Sequence, residues 1–79
     1  MDLVDLTKYI VTNLVKNVDE VEVTINDDKD KVITVKVAEE DIGSVIGRGG
    51  KIANSIRNVV QASAYINDLG KVRVNIDTK

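Results

Sequence analysis

The stretch Ile46-Gly47-Arg48-Gly49-Gly50-Lys51, IGRGGK, places three of the chain's five glycines in four positions. It stands between two segments with helical spacing. Glycine in or beside a helix costs roughly 1 kcal/mol against alanine, so three together mark a loop with a special backbone. Glycine permits φ > 0 and has no Cβ to keep another backbone away. The loop also feeds the start of a helix, where amides lack intrahelical partners and carry partial positive charge. Arg48 and Lys51 add full charges at the same point, and the arginine fork matches paired phosphate oxygens. These features together suit an anionic backbone. Two other glycine signatures fail. A G-x-x-x-x-G-K-[ST] loop needs glycine at 45 and Ser or Thr at 52, where the chain has Val45 and Ile52. A dinucleotide fingerprint from Gly47 needs glycine at 52 and a preceding strand.

Outward from the loop, AEEDIGSVI (residues 38–46) predicts a short helix with acids at its positive N-terminal end, ended by Gly47. A longer helix is expected from about Gly50 to Asn67. Its buried stripe would be Ile52, Ile56, Val59, Val60, Ser63 and Ile66, flanked by Ala53 and Ala64, with Gly70 as the C-terminal stop. Val72, Val74 and Ile76 then alternate with polar residues as a strand. Upstream, Val21, Val23 and Ile25 form one side of a strand over 21–26. Ile33, Val35 and Val37 do the same over 32–37, and the polar turn Asn26–Lys31 joins the two as a hairpin. Residues 2–18 carry helical spacing, from Leu3, Leu6 and Ile10 to Leu14 and Val18, with Asp2 as cap. The order α-β-β-α-α-β predicts an α+β fold. Its three-stranded sheet would carry helices packed on one face and leave the other wet.

Seventy-nine residues make one domain, 1–79, and a chain this short buries only about 60% of its unfolded surface. It has no cysteine and no histidine, so neither a disulfide, nor a thiolate, nor an ordinary zinc site is expected. No apolar run approaches the roughly 20 residues of a membrane span, and the opening residues lack a signal-peptide pattern. A cytoplasmic protein is expected. Net charge is −2, unevenly spread: residues 1–41 hold eleven acidic and five basic groups, residues 42–79 two acidic and six basic. Such asymmetry suits an anionic partner for the basic half.

VIGRGGKIANSIR (residues 45–57) resembles the G-x-x-G core of the KH domain, in which the motif joins two helices and clamps about four nucleotides of single-stranded nucleic acid. The α-β-β-α-α-β order is similar to the bacterial type II KH arrangement. Over its whole length the chain resembles the small stand-alone KH proteins of the KhpA family. That resemblance implies an RNA-binding protein and RNA chaperone. Its partners would be single-stranded RNA, a second copy, and a larger KH protein of the Jag/KhpB type. It further implies a link to cell shape and cell-wall biogenesis, and no small-molecule substrate. The motif falls on Gly47, Arg48, Gly49 and Gly50. A groove beside it is implied, with Ile42, Val45 and Ile46 as one wall, the second strand as the other, Lys36 near an edge, and Lys51 and Arg57 as further contacts. One departure stands out: where many KH domains carry isoleucine three residues after the last glycine, this chain has Ala53, with Ile52 beside it.

The only aromatics are Tyr9 and Tyr65, too few for the stacking platforms of RRM and OB folds. On the long helix, Asn54, Asn58, Gln61, Ala62 and Tyr65 form a nearly uncharged face opposite the expected stripe. Charge depletion around an aromatic is the composition of an interface core, so this face is expected to pair the domain with a partner. A protein-interaction module of KH shape with little RNA affinity is the alternative, and the low net charge favours it. With no nucleophile motif and no metal cluster, catalysis, a metal and a cofactor are not expected. The run Glu39-Glu40-Asp41 is explained by the helix dipole.

Overall fold

The computed structural model describes residues 2–27 and 31–79. Its elements are α1 (Leu3–Thr12), β1 (Glu22–Asp27), β2 (Lys31–Val37), α2 (Ile42–Ile46), α3 (Lys51–Ile66) and β3 (Val72–Thr78). Short 3-10 turns, Val18–Glu20, Glu39–Asp41 and Arg48–Gly50, precede β1, α2 and α3. The order is the expected one. β2 pairs antiparallel with β1 and parallel with β3, so β2 is the central strand. Ile33, Val35 and Val37 alternate into the core and meet Val11, Val45, Ile56 and Val60 from the three helices. Of the expected polar turn, residues 28–30 lie outside the described residues.

α1 begins as expected, with Oδ1 of Asp2 accepting the Asp5 amide at 2.7 Å. It stops at Thr12, well short of residue 18. The amides of Asn13 and Leu14 turn back only three residues, to Ile10 and Val11. Those of Lys16 and Asn17 leave the helical path altogether and donate to the Asp41 carboxylate at 3.1 and 3.0 Å. Val18 consequently lies exposed in the following turn.

α3 is also rotated from its expected setting. Its buried residues are Ala53, Ile56, Val60 and Ala64. The two alanines point inward because a small side chain lets the helix backbone approach the layer beneath it. Three β-branched residues of the expected stripe are displaced to the rim, while Ile56 and Val60 stay buried: Ile52 is half-buried, Val59 is 48% exposed and Ile66 84%. Nor does Gly70 stop the helix. The amide of Asp68 donates to Tyr65 O and that of Leu69 to Ala64 O, the paired bonds of a Schellman ending. The left-handed residue this ending requires is Asp68, at φ +62°.

Candidate nucleic-acid interface

The loop grows out of α2, where the Gly47 amide closes the last helical bond onto Gly43 O at 2.9 Å. Gly47 then takes φ +75°, ψ 175°, a region open essentially to glycine alone. Gly49 and Gly50 follow at φ +65° and +78°, and the Lys51 amide returns to Arg48 O as α3 begins. The glycines have two different jobs. A Cβ on Gly47 would collide with the side chain of Ile52, whereas a Cβ on Gly49 or Gly50 would meet no atom within 4 Å. Gly47 is thus packed from beneath and the other two face open space. Ile52 supplies that packing, while Ala53, which stands where many KH domains carry isoleucine, is buried in the core. Arg48 and Lys51 flank the open side as exposed cations, and Ile46 is exposed beside them.

The remaining expected contacts separate. Ile42 is half-buried against the core, and Val45 is wholly buried within it, so Val45 forms no accessible wall. Lys36 lies on the wet face of the sheet, opposite the helices, because its strand neighbours Val35 and Val37 point into the core. It stands in register between Glu22 and Asp77, where a cation is favoured by its cross-strand neighbours. The second strand cannot wall a groove beside the loop, since β2 is central and β3 is the edge that α2 and α3 contact.

α3 and β3 run in opposite directions, and polar side chains of α3 clasp the free edge of β3. Arg57 Nε donates to Val74 O at 3.1 Å and its Nη1 to Asn54 Oδ1 at 3.3 Å. Gln61 donates through Nε2 to Gly70 O at 2.9 Å and accepts the Val72 amide at 3.0 Å. Between them runs a cleft of about 390 Å³, lined also by Asn58, Arg73 and Asn75. Its lining therefore adds Arg73 and Asn75 to the expected residues. Both alternate with apolar residues in the sequence, but only the strand order places them beside α3. The uncharged face expected to pair with a partner is divided by the same contacts. Asn58 and Gln61 line this cleft and Asn54 accepts from Arg57, whereas Ala62 and Tyr65 lie outside the cleft and are exposed.

Glu20 and Glu22 share the Lys79 ammonium at 3.5 and 3.2 Å. The hydrogen bond to Glu22 raises the pKa of Lys79 against the opposing effect of desolvation. Asp41, 3% exposed, has a different role from the dipole partner expected of it. Burial pushes its carboxyl up, but hydrogen bonds from the backbone and side chain of Asn17 and the backbone of Lys16, with the Lys16 charge, outweigh burial and hold it below the ordinary 3.8. It ties the exit of α1 to the start of α2, a short step before the loop. Among the described residues no cluster of three or more Asp, Glu, His or Cys could hold a metal. No helix there is long and apolar enough to cross a membrane.

A family model described as the KH domain of KhpA/KhpB matches residues 4–77. The RNA-binding protein KhpA of Caldanaerobacter subterraneus subsp. tengcongensis is 48% identical, across 76% of this chain and 81% of the relative. The protein of the same name from Borreliella burgdorferi is 37% identical over 77% and 76%, and that of Clostridium perfringens 38% over 91% and 96%.

Proposed function

The chain belongs to the KhpA/KhpB family of KH domains, and from that premise we propose that it is an RNA-binding protein whose Gly47–Gly50 loop clamps single-stranded RNA. The observation that carries this reading is the open space above Gly49 and Gly50, flanked by the exposed cations Arg48 and Lys51. A sugar-phosphate backbone can approach there without meeting a Cβ, onto amides at the start of a helix. About four nucleotides fit such a motif. From the loop, the cleft between α3 and β3 offers a polar path, with the guanidinium of Arg57, Arg73 and the Asn58 and Asn75 amides along it. With no aromatic platform, binding tolerates varied sequences.

In this reading the chain acts as one KH domain over residues 1–79. It is an RNA chaperone in the cytoplasm rather than an enzyme, and it works paired with a second copy or with a larger Jag/KhpB-type protein. These finer assignments, with a role in cell shape and cell-wall homeostasis, are what the resemblance of the sequence to the KhpA family implies. The test is affinity for a short single-stranded RNA, measured for the wild type and for the double substitution Arg48→Asp, Gly49→Asp. The double variant loses binding while its circular dichroism stays unchanged. A folded variant that binds as the wild type does would remove the loop from the mechanism and leave a protein-interaction module as the better account.

A further inference from the structure

The sheet has two edges, and the chain treats them differently. Along β3 the outward backbone is clasped: Arg57 donates to Val74 O, and Gln61 donates to Gly70 O and accepts the Val72 amide. Along β1 the backbone groups of residues 22–26 that face away from β2 have no partner among the described residues. Neither a proline nor a bulge, two usual protections of an edge, blunts this strand. The chain has no proline, and the pairing with β2 runs unbroken from Glu22 to Asp27. Val23 and Ile25 stand in register with the buried Val35 and Ile33. Ile25 is nevertheless 40% exposed where Ile33 beside it is 0%, because no further strand covers it. We propose that the β1 edge takes up an extended, basic segment of another protein as a fourth strand.

Charge chooses the occupant. Residues 17–27 hold four acids, Asp19, Glu20, Glu22 and Asp27, and no Lys or Arg. Glu20 and Glu22 already accept one ammonium, that of Lys79, and their side chains remain 54% and 58% exposed, so a further cation can reach them. A second copy of the chain is disfavoured by the same acids. Two β1 strands paired antiparallel about an axis between Thr24 and Ile25 would set Glu22 against Asp27 twice, like charges that destabilise a ladder. An incoming strand with Lys or Arg at alternate positions places those cations on the wet face beside Glu22. Its intervening side chains then lie beside Val23 and Ile25, as the period of two requires. Main-chain bonds to the open edge supply affinity, and the alternate side chains supply selectivity. β2 separates β1 from β3, and α2 and α3 contact β3, so a segment on β1 leaves the Gly47–Gly50 loop open. The inference stands independently of what that loop binds.

The probe is a capped peptide of alternating lysine and valine, Lys-Val-Lys-Val-Lys-Val, titrated into the isotopically labelled chain and followed by NMR. At about 1 mM peptide the amide resonances of residues 22–26 shift, and those amides that face outward exchange with solvent about tenfold more slowly. Resonances of Gly47–Gly50 and of β3 stay in place. A peptide of the same composition in blocks, Lys-Lys-Lys-Val-Val-Val, leaves β1 unprotected. Glu22→Lys, with its circular dichroism unchanged, binds the alternating peptide about tenfold more weakly. Shifts without slowed exchange in β1 would mark attraction between charges alone and overturn the inference. So would equal protection by the block peptide, or a folded Glu22→Lys that binds as the wild type does. Protection of β1 that rises with protein concentration in the absence of peptide would put a second copy at the edge and overturn it as well.

Discussion

A Cβ built on Gly47 would stand 2.6 Å from Cγ1 of Ile52 and 2.9 Å from its Cδ1. The first glycine of the loop is therefore held by the side chain that packs beneath it, as well as by its own φ of +75°. Gly47→Ala is expected to lower folding stability by roughly 2–3 kcal/mol, combining a glycine-only backbone region with a core collision. Gly49→Ala and Gly50→Ala carry only the left-handed penalty, about 1–2 kcal/mol each. Urea melts of the three variants give the ranking. Equal losses at Gly47 and Gly49 would show that Ile52 does not buttress the loop.

RNA affinity should depend only modestly on salt. If the loop engages two to three phosphates of a single strand, log K falls with log salt at a slope of about −1.5 to −2. Replacing Arg48 by glutamine removes one such contact and should flatten the slope by roughly 0.7. Filter binding of a short single-stranded RNA from 50 to 300 mM salt measures both. An unchanged slope in the variant would place Arg48 outside the phosphate contacts.

The buried Asp41 links pH to stability. Its pKa is depressed in the folded chain, so its contribution is complete above the ordinary carboxylate value of 3.8 and is lost as pH falls through the lower folded value. Asp41→Asn is expected to lower the melting temperature at neutral pH by ~5 °C or more. The gap from wild type should narrow as pH falls below 3.8 and through the lower folded value, beneath which both proteins carry a neutral side chain. A gap that stays constant across that range would assign the loss to packing rather than to the carboxylate.

Asp68 ends α3 in a left-handed conformation that side chains avoid and that glycine adopts freely. Asp68→Gly should raise stability by about 0.5–1 kcal/mol, because relief of backbone strain and of a negative charge at a helix C-terminus exceeds the added freedom of the unfolded chain. A thermal melt reads the gain, and a lower melting temperature would show that the aspartate side chain makes a compensating bond.

Several departures from the sequence-based expectations share a cause. α1 ends early because its departing amides find the Asp41 carboxylate, 24 and 25 residues along the chain, and local periodicity carries no trace of so distant a partner. The apolar residues of α3 span more of the helix than the core can cover. Spacing alone favours the bulky Val59 and Ile66, and the three-dimensional contact favours Ala53 and Ala64. Lys36 reads as a groove cation until the strand order shows β2 in the middle of the sheet.

The residues themselves determined the number, type and order of the elements and the place of the loop. Those features depend on period, glycine content and charge, all of which act over a few neighbouring positions. The tertiary structure alone decided which strand borders the loop's helices, which side of α3 is buried, and which of the three loop glycines is held from below. Each of these depends on contacts between segments far apart in the chain, such as Arg57 with Val74 or Asp41 with Asn17. Only the folded chain determines which of many apolar and polar residues meet.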